Sequence, residues 1–384
     1  MSKLPLSGIR VLDLGHLLPG PLCSVMLADL GAEVIKIERP PRGDVNRYVP
    51  PLVHGVSPYF LMINRNKKSK LIDLKDPKGK ESFLKLVESS DILIENFRPG
   101  VMKKLGVGYE KLKAVNPKLI YCAISGYGQE GPWKDVAGHD LNYLGLSGLL
   151  YPTAAKSERP VMLPTQLADI VGGSLLPALS ILAALELRHK TQKGMFIDSA
   201  MMPGTMALLI MVLGRVLMTG QEMKKDEDRM TGLYPNYTTY LTRDKRAMVV
   251  AAIEPKFWNR FCDVIGKPQY ADWIPLTDPT GFPTPSLAKC APSKLKKMRG
   301  LIQVVFKTKT QRQWMKIFAS QPECCCTPVN TFQEAVKFLE KLERKDLIEV
   351  PDASGNLFPQ LLFAWGNPDL SRSQHTMPPT LETD

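Results

Sequence analysis

The sequence predicts an α/β protein: a doubly wound parallel sheet in the N-terminal half and a smaller, differently patterned second domain. Three observations carry this. Over the first 130 residues, short apolar runs alternate with helical stretches, as in βαβ units. Beyond residue 220 the alternation gives way to a hairpin pattern. The chain has 384 residues, more than one simple core usually organises.

The elements follow in order. Ile9 to Leu14 is a short apolar run ending at Gly15, and Pro21 to Leu30 has helical spacing and stops at Gly31. Glu33 to Ile37 reads as the next strand and Leu71 to Leu74 as a third. Pro77 to Glu88 is a helix with proline at its start. Asp91 to Phe97 reads as a buried strand, Tyr109 to Val115 as a short helix and Leu119 to Ile124 as a strand. Tyr237 to Leu241 and Met248 to Ile253 form a hairpin around Thr242 to Arg246. Glu254 then opens an amphipathic helix, with Pro255 just inside. Asp278 to Pro283 is a loop, and the polar tail after Asn367 wraps a surface.

Composition is that of a globular protein, with 44% hydrophobic and 23% charged residues. The net charge of +12 favours anionic partners, but the cations are scattered and no nucleic-acid-binding signature appears. Seven cysteines without a CxxC pair, three of them consecutive at 324–326, suit neither a disulfide framework nor a zinc site. Met1 to Arg10 lacks the apolar stretch of a signal peptide, so a reducing, cytoplasmic setting is the expectation. Two stretches, 170–187 and 201–218, approach the length of a membrane span. Their interruptions by Gly172, Gly173, Pro177, Pro203 and Arg215 read instead as helices buried in a core or dimer interface, with no membrane insertion.

Gly126-Tyr127-Gly128-Gln129-Glu130-Gly131 matches the dinucleotide fingerprint, but Pro132 and Trp133 follow and no helix opens there. Two other places hold more chemistry. His139, one of five histidines, stands at a loop-to-helix junction in Gly138-His139-Asp140, where the helix terminus tunes its proton affinity. Asp169 stands where Pro164-Thr165-Gln166 meets the apolar stretch Ile170-Val171-Gly172-Gly173. It is either a helix cap or a partly desolvated carboxyl suited to proton transfer.

The segments Gly138 to Leu144 and Leu167 to Gly173 are similar to two motifs of the α-methylacyl-CoA racemases, within the family III CoA-transferase superfamily. Leu27 to Ala32, Arg98 to Val101, Lys193 to Asp198, Ala252 to Phe257 and Cys326 to Val329 match in the same order. The resemblance implies a Rossmann-like large domain plus a smaller α+β domain in an interlocked homodimer. The large domain would hold residues 1–200 and the returning segment 331–384, with 201–224 a linker helix and 225–330 the small domain. It implies an isomerase acting on an acyl-CoA thioester, with His139 and Asp169 on opposite faces of the α-carbon of a 2-methylacyl group. Glu254 of the partner subunit would orient His139. The N–H of Asp140 would steady the enolate oxygen, and Tyr237 matches a further site tyrosine. Arg39, Ile72, Lys75 and Arg98 occupy positions that bind the coenzyme A part of the substrate. The resemblance implies neither a metal nor a separate cofactor. The stretch Val49 to Lys70 looks more like the family III CoA-transferases, and Thr165 stands where racemases carry Asn. In those transferases the residue aligned with Asp169 is a nucleophile, which leaves CoA transfer between carboxylic acids as the alternative.

Overall fold

A computed structural model describes residues 4–153, 159–225, 228–274, 290–343, 346–363, 370 and 374–381. The chain divides into two compact units. The first comprises residues 1–149, 163–210 and 342–384, and the second residues 150–162 and 211–341.

The first unit is built on β1 (Arg10–Asp13), α1 (Pro19–Asp29), β2 (Glu33–Glu38), α2 (Pro58–Asn64), β3 (Lys67–Leu71), α3 (Pro77–Glu88), β4 (Ile92–Glu95), α4 (Val101–Lys104), α5 (Tyr109–Val115) and β5 (Ile120–Ser125). It continues through α6 (Asp140–Leu146), a π-helical segment (Ala168–Leu175), α7 (Leu176–Thr191), β6 (Met195–Ala200) and α8 (Met201–Thr205). The six strands are all parallel, in the order β3-β2-β1-β4-β5-β6. The strand order reverses between β1 and β4, and the crevice beyond the carboxyl ends of those two strands is where such sheets bind ligands.

The third strand differs from the expectation at Leu71 to Leu74: it runs over Lys67–Leu71. Its inward positions are polar, which hides it from a search for apolar runs. Lys67 Nζ meets Asp13 Oδ2 at 2.9 Å with both side chains fully buried, and Ser69 donates to Glu38 at 2.6 Å. Lys36 on β2 pairs with Asp44 at 2.9 Å, also buried. Buried ion pairs of this kind specify an arrangement more than they stabilise it.

The two long apolar stretches lie over Ala168–Thr191 and Met201–Thr219, and by length and composition either could cross a membrane. The first packs Ile181, Ala184 and Leu185 into the core. The second ends in α9 (Ile210–Thr219), which has no buried residue, with Met211 84% and Met218 83% exposed. Met201 and Thr205 at the start of this second stretch are buried, but burial of the whole stretch in its own chain, one of the two expectations, is not observed.

In the second unit, β7 (Tyr237–Leu241) and β8 (Ala247–Ala251) form the expected hairpin, and α10 (Pro255–Val264) follows. Next come α11 (Pro292–Phe306), α12 (Gln311–Ala319), β9 (Cys326–Pro328) and α13 (Phe332–Lys341). The sheet order is β7-β8-β9, all antiparallel, over a core of Trp258, Phe261, Phe306, Trp314 and Phe318. The loop expected at 278–283 lies outside the described residues.

The chain closes on the first unit with the antiparallel pair β10 (Leu347–Pro351) and β11 (Leu357–Leu361). The tail then runs over that unit's surface. Asn66 N–H donates to the Thr376 carbonyl at 3.1 Å, and Arg47 Nη1 to that of Pro379 at 2.8 Å.

Candidate active site

The loop after β1 and the loop after β4 meet at the switch point of the sheet. Together with the segment that opens α6 and the start of the π-helix, they line one cavity of about 140 Å³. His139, Asp169 and Arg98 all face it, so three of the sequence-derived site residues converge there. The volume suits the reacting end of a substrate, not a whole coenzyme.

His139 is exposed and sits one residue before α6. Its N–H donates to Asn142 Oδ1 at 3.0 Å, and its carbonyl accepts from Asn142 N–H at 2.8 Å. These bonds close the first turn and fix the histidine at the helix N-terminus.

Asp169 is not the helix cap that was one of its two readings. It lies inside the π-helix, a geometry often found at functional sites. The capping carboxylate is that of Asp140, which accepts from Ala168 N–H at 2.7 Å and Asp169 N–H at 3.2 Å. Asp140 thus ties the helix that follows His139 to the one that carries Asp169. Gly172 permits the close packing beneath: a Cβ there would lie 2.4 Å from the Met201 carbonyl oxygen.

Burial pushes the Asp169 carboxyl from 3.8 up to about 7, and the neighbouring Asp140 carboxylate adds to the rise. Asp140 is itself raised by burial, against the pull of its two N–H donors. Asp169 can therefore hold or release a proton near neutral pH.

The other expected ligands of the coenzyme lie at the same end of the sheet but do not line this cavity. Arg39 is exposed just past β2. Ile72 follows β3 and is buried, its N–H bonded to the Glu38 carbonyl at 2.9 Å. Lys75 is exposed two residues beyond Asp73, whose carboxylate accepts from its N–H. Glu254 and Tyr237 belong to the second unit. Glu254 is exposed and precedes α10, its carbonyl accepting from Phe257 and Trp258 N–H. Tyr237 is half-buried at the start of β7, with the Arg229 guanidinium 5.8 Å from its ring centroid.

Among the cavity residues that escaped the sequence reading are His16 and Asn96. The signal open to it was position, because each follows an apolar strand at the carboxyl end of the sheet. A larger cavity of about 760 Å³, lined in part by Glu95, Tyr109, Tyr121 and Phe196, contains no histidine. The fingerprint-like loop at 126–131 opens no helix; it is tied by Gly128 N–H to Ser125 Oγ and by Gln129 N–H to Asp198.

Residues 6–384 match CoA-transferase family III, by that description. The chain belongs to this family. Human alpha-methylacyl-CoA racemase is 36% identical over 96% of this chain and 89% of its own length. An acetyl-CoA:oxalate CoA-transferase of Acetobacter aceti is 38% identical over 72% of this chain and 69% of its own. Among solved structures, a CAIB/BAIF family protein from Brucella suis superposes with a TM-score of 0.82 at 28% identity, covering 99% of this chain and 97% of the other. This family III chain is thus an enzyme similar to racemases and CoA-transferases alike, with relatives that act on acyl-CoA thioesters.

Proposed function

We propose that the protein inverts the α-carbon of 2-methylacyl-CoA thioesters by proton transfer through an enolate. The observation that carries this reading is the pairing of His139 and Asp169 on one small cavity, with the Asp169 carboxyl raised to about 7. A thioester α-proton is far less acidic than any side chain. Its removal needs a base near neutrality on one face, an acid on the other and a donor for the enolate oxygen. Asp169 and His139 serve the two faces, and the N–H of Asp140, in the first turn of α6, steadies the oxygen. Arg39, Lys75 and Arg98 bind the phosphates of the coenzyme, and Ile72 contacts its apolar part. The active form is a homodimer in which the partner subunit's Glu254 orients His139 and the partner subunit's Tyr237 contacts the substrate.

A second reading is supported by the transferase relatives and by the transferase-like segment 49–70. In it the Asp169 carboxylate attacks the thioester carbonyl and expels the CoA thiolate, leaving an acyl-aspartyl anhydride. One incubation separates the two: a single stereoisomer of a 2-methylacyl-CoA in deuterated buffer, with and without an added carboxylic acid. Racemisation with α-deuterium uptake in the absence of the acid supports the first reading. CoA transfer that requires the acid, without α-exchange, refutes it.

A further inference from the structure

Besides His139 and Asp169, the cavity is faced by the cations Arg98 and Lys134 and by four uncharged polar side chains, Asn96, Ser125, Tyr143 and His16, of which the first three are already engaged. Asn96 is held by the main chain of residue 16, and the Tyr143 hydroxyl donates to the Gly138 carbonyl at 2.7 Å. His16 differs. It is half-buried, its ring lies 5.4 Å from that of Phe97, and among the described residues neither ring nitrogen has a hydrogen-bond partner.

The loop that carries His16 is bonded at every residue. Gly15 N–H donates to Asp13 Oδ1 at 2.8 Å, and the buried Lys36 ammonium donates to the Gly15 carbonyl at 2.7 Å. Asn96 closes two bonds of 2.9 Å on the N–H and carbonyl of His16 itself. Asn46 donates to the Leu17 carbonyl at 2.6 Å, and Leu17 stands at φ 61°, in the left-handed region that leucine seldom adopts. Strain at one residue, beside a main chain bonded on both sides at Gly15 and His16, is the mark of a side chain whose direction matters. The buried cluster of Asp13, Lys36, Asp44 and Lys67 thereby acquires a task at the site: it anchors this loop.

We infer that His16 reads the acyl group of the substrate, donating a hydrogen bond to an oxygen carried on the acyl chain beside the reacting carbon. The inference rests on the acyl-CoA reading and deepens it to a substrate class. A neutral imidazole offers one donor and one acceptor. Burial lowers the proton affinity of His16, with Lys36 opposing the pull of Asp44 and Asp13, so the ring is neutral at neutral pH. A plain hydrocarbon chain would cover the ring and leave both nitrogens unpaired. A hydroxylated chain would satisfy the donor. Sites built to bond a hydroxyl reject the analogue that lacks it, here by about ten- to a hundredfold for one half-buried group.

The test uses two thioesters of equal chain length, 2-methyl-3-hydroxybutanoyl-CoA and 2-methylbutanoyl-CoA. Calorimetry gives their affinities, and α-deuterium uptake gives kcat/KM. The wild type should favour the hydroxylated thioester by that factor. His16→Leu should abolish the preference, chiefly by weakening the hydroxylated partner, and His16→Gln, which keeps a donor, should restore most of it. Absence of a preference in the wild type overturns the inference, as does an equal loss for both thioesters in a folded His16→Leu protein. Should His16→Leu fail to fold, the wild-type preference and the Gln variant decide. Free CoA serves as the control. Normal CoA binding without acyl preference removes only the role of His16, whereas failure to bind CoA and both thioesters removes the acyl-CoA reading as well.

Discussion

Replacing Asp169 by asparagine should make the protein more stable above neutral pH while removing its activity. The carboxyl rises from 3.8 to about 7 in the folded chain, chiefly through burial and then through Asp140. At about 1.4 kcal/mol for each tenfold change in proton affinity, this sets a ceiling of about 4 kcal/mol on the cost of ionising it there. The side chain is only partly buried, so solvent screening reduces the expected effect to about 2 kcal/mol. The sign follows from which state binds the proton. Below about pH 4 the carboxyl is neutral in both folded and unfolded chains. Between about 4 and 7 it ionises in the unfolded chain first, so the fold loses stability as pH rises, and above about 7 the loss is complete. The asparagine variant has no carboxyl to ionise and escapes this loss. Urea unfolding of both proteins at pH 4.5, 6 and 8 should show the variant's advantage over wild type growing with pH, to about 2 kcal/mol at pH 8. A difference that stays flat with pH would refute the claim that Asp169 is a desolvated carboxyl poised near neutrality.

Two further outcomes concern binding and assembly. Ala variants of Arg39, Lys75 and Arg98 should each bind free CoA more weakly, with a smaller salt dependence than wild type; calorimetry at two salt concentrations checks this, and unchanged affinity in all three would contradict it. The exposed apolar face of α9, including Ile210, Leu217 and Met218, needs cover, so light scattering at micromolar concentration should give twice the 42.8 kDa chain mass; a well-folded monomer would contradict it.

Much of the sheet was legible because its central strands are apolar. β1, β2, β4 and β5 emerge because each is rich in buried apolar residues, and α3 and α5 begin and end where proline and periodicity place them. β3 was misplaced because Lys67 and Ser69 occupy its inward positions, and their burial depends on carboxylates 31 and 54 residues away. The sequence reading assigned no strand over β6, an edge strand with no fully buried position. His139 and Asp169 stood out through a junction and a motif resemblance, but their mechanical link did not. The bond from Asp140 to the start of the π-helix joins residues 28 positions apart. His16 was missed because a position just after a strand is shared by many residues, and only the hydrogen bonds that clamp its loop distinguish it.

The proposed pairing of His139 and Asp169 on one α-carbon is tested by α-deuterium uptake from a single 2-methylacyl-CoA stereoisomer, without an acceptor acid, for wild type, His139→Ala and Asp169→Asn. Exchange and racemisation by the wild type are expected, with each variant slower by about 10²–10⁴-fold. Hydroxylamine trapping of an acyl group on Asp169, together with CoA transfer to an added acid that His139→Ala leaves intact, would contradict it.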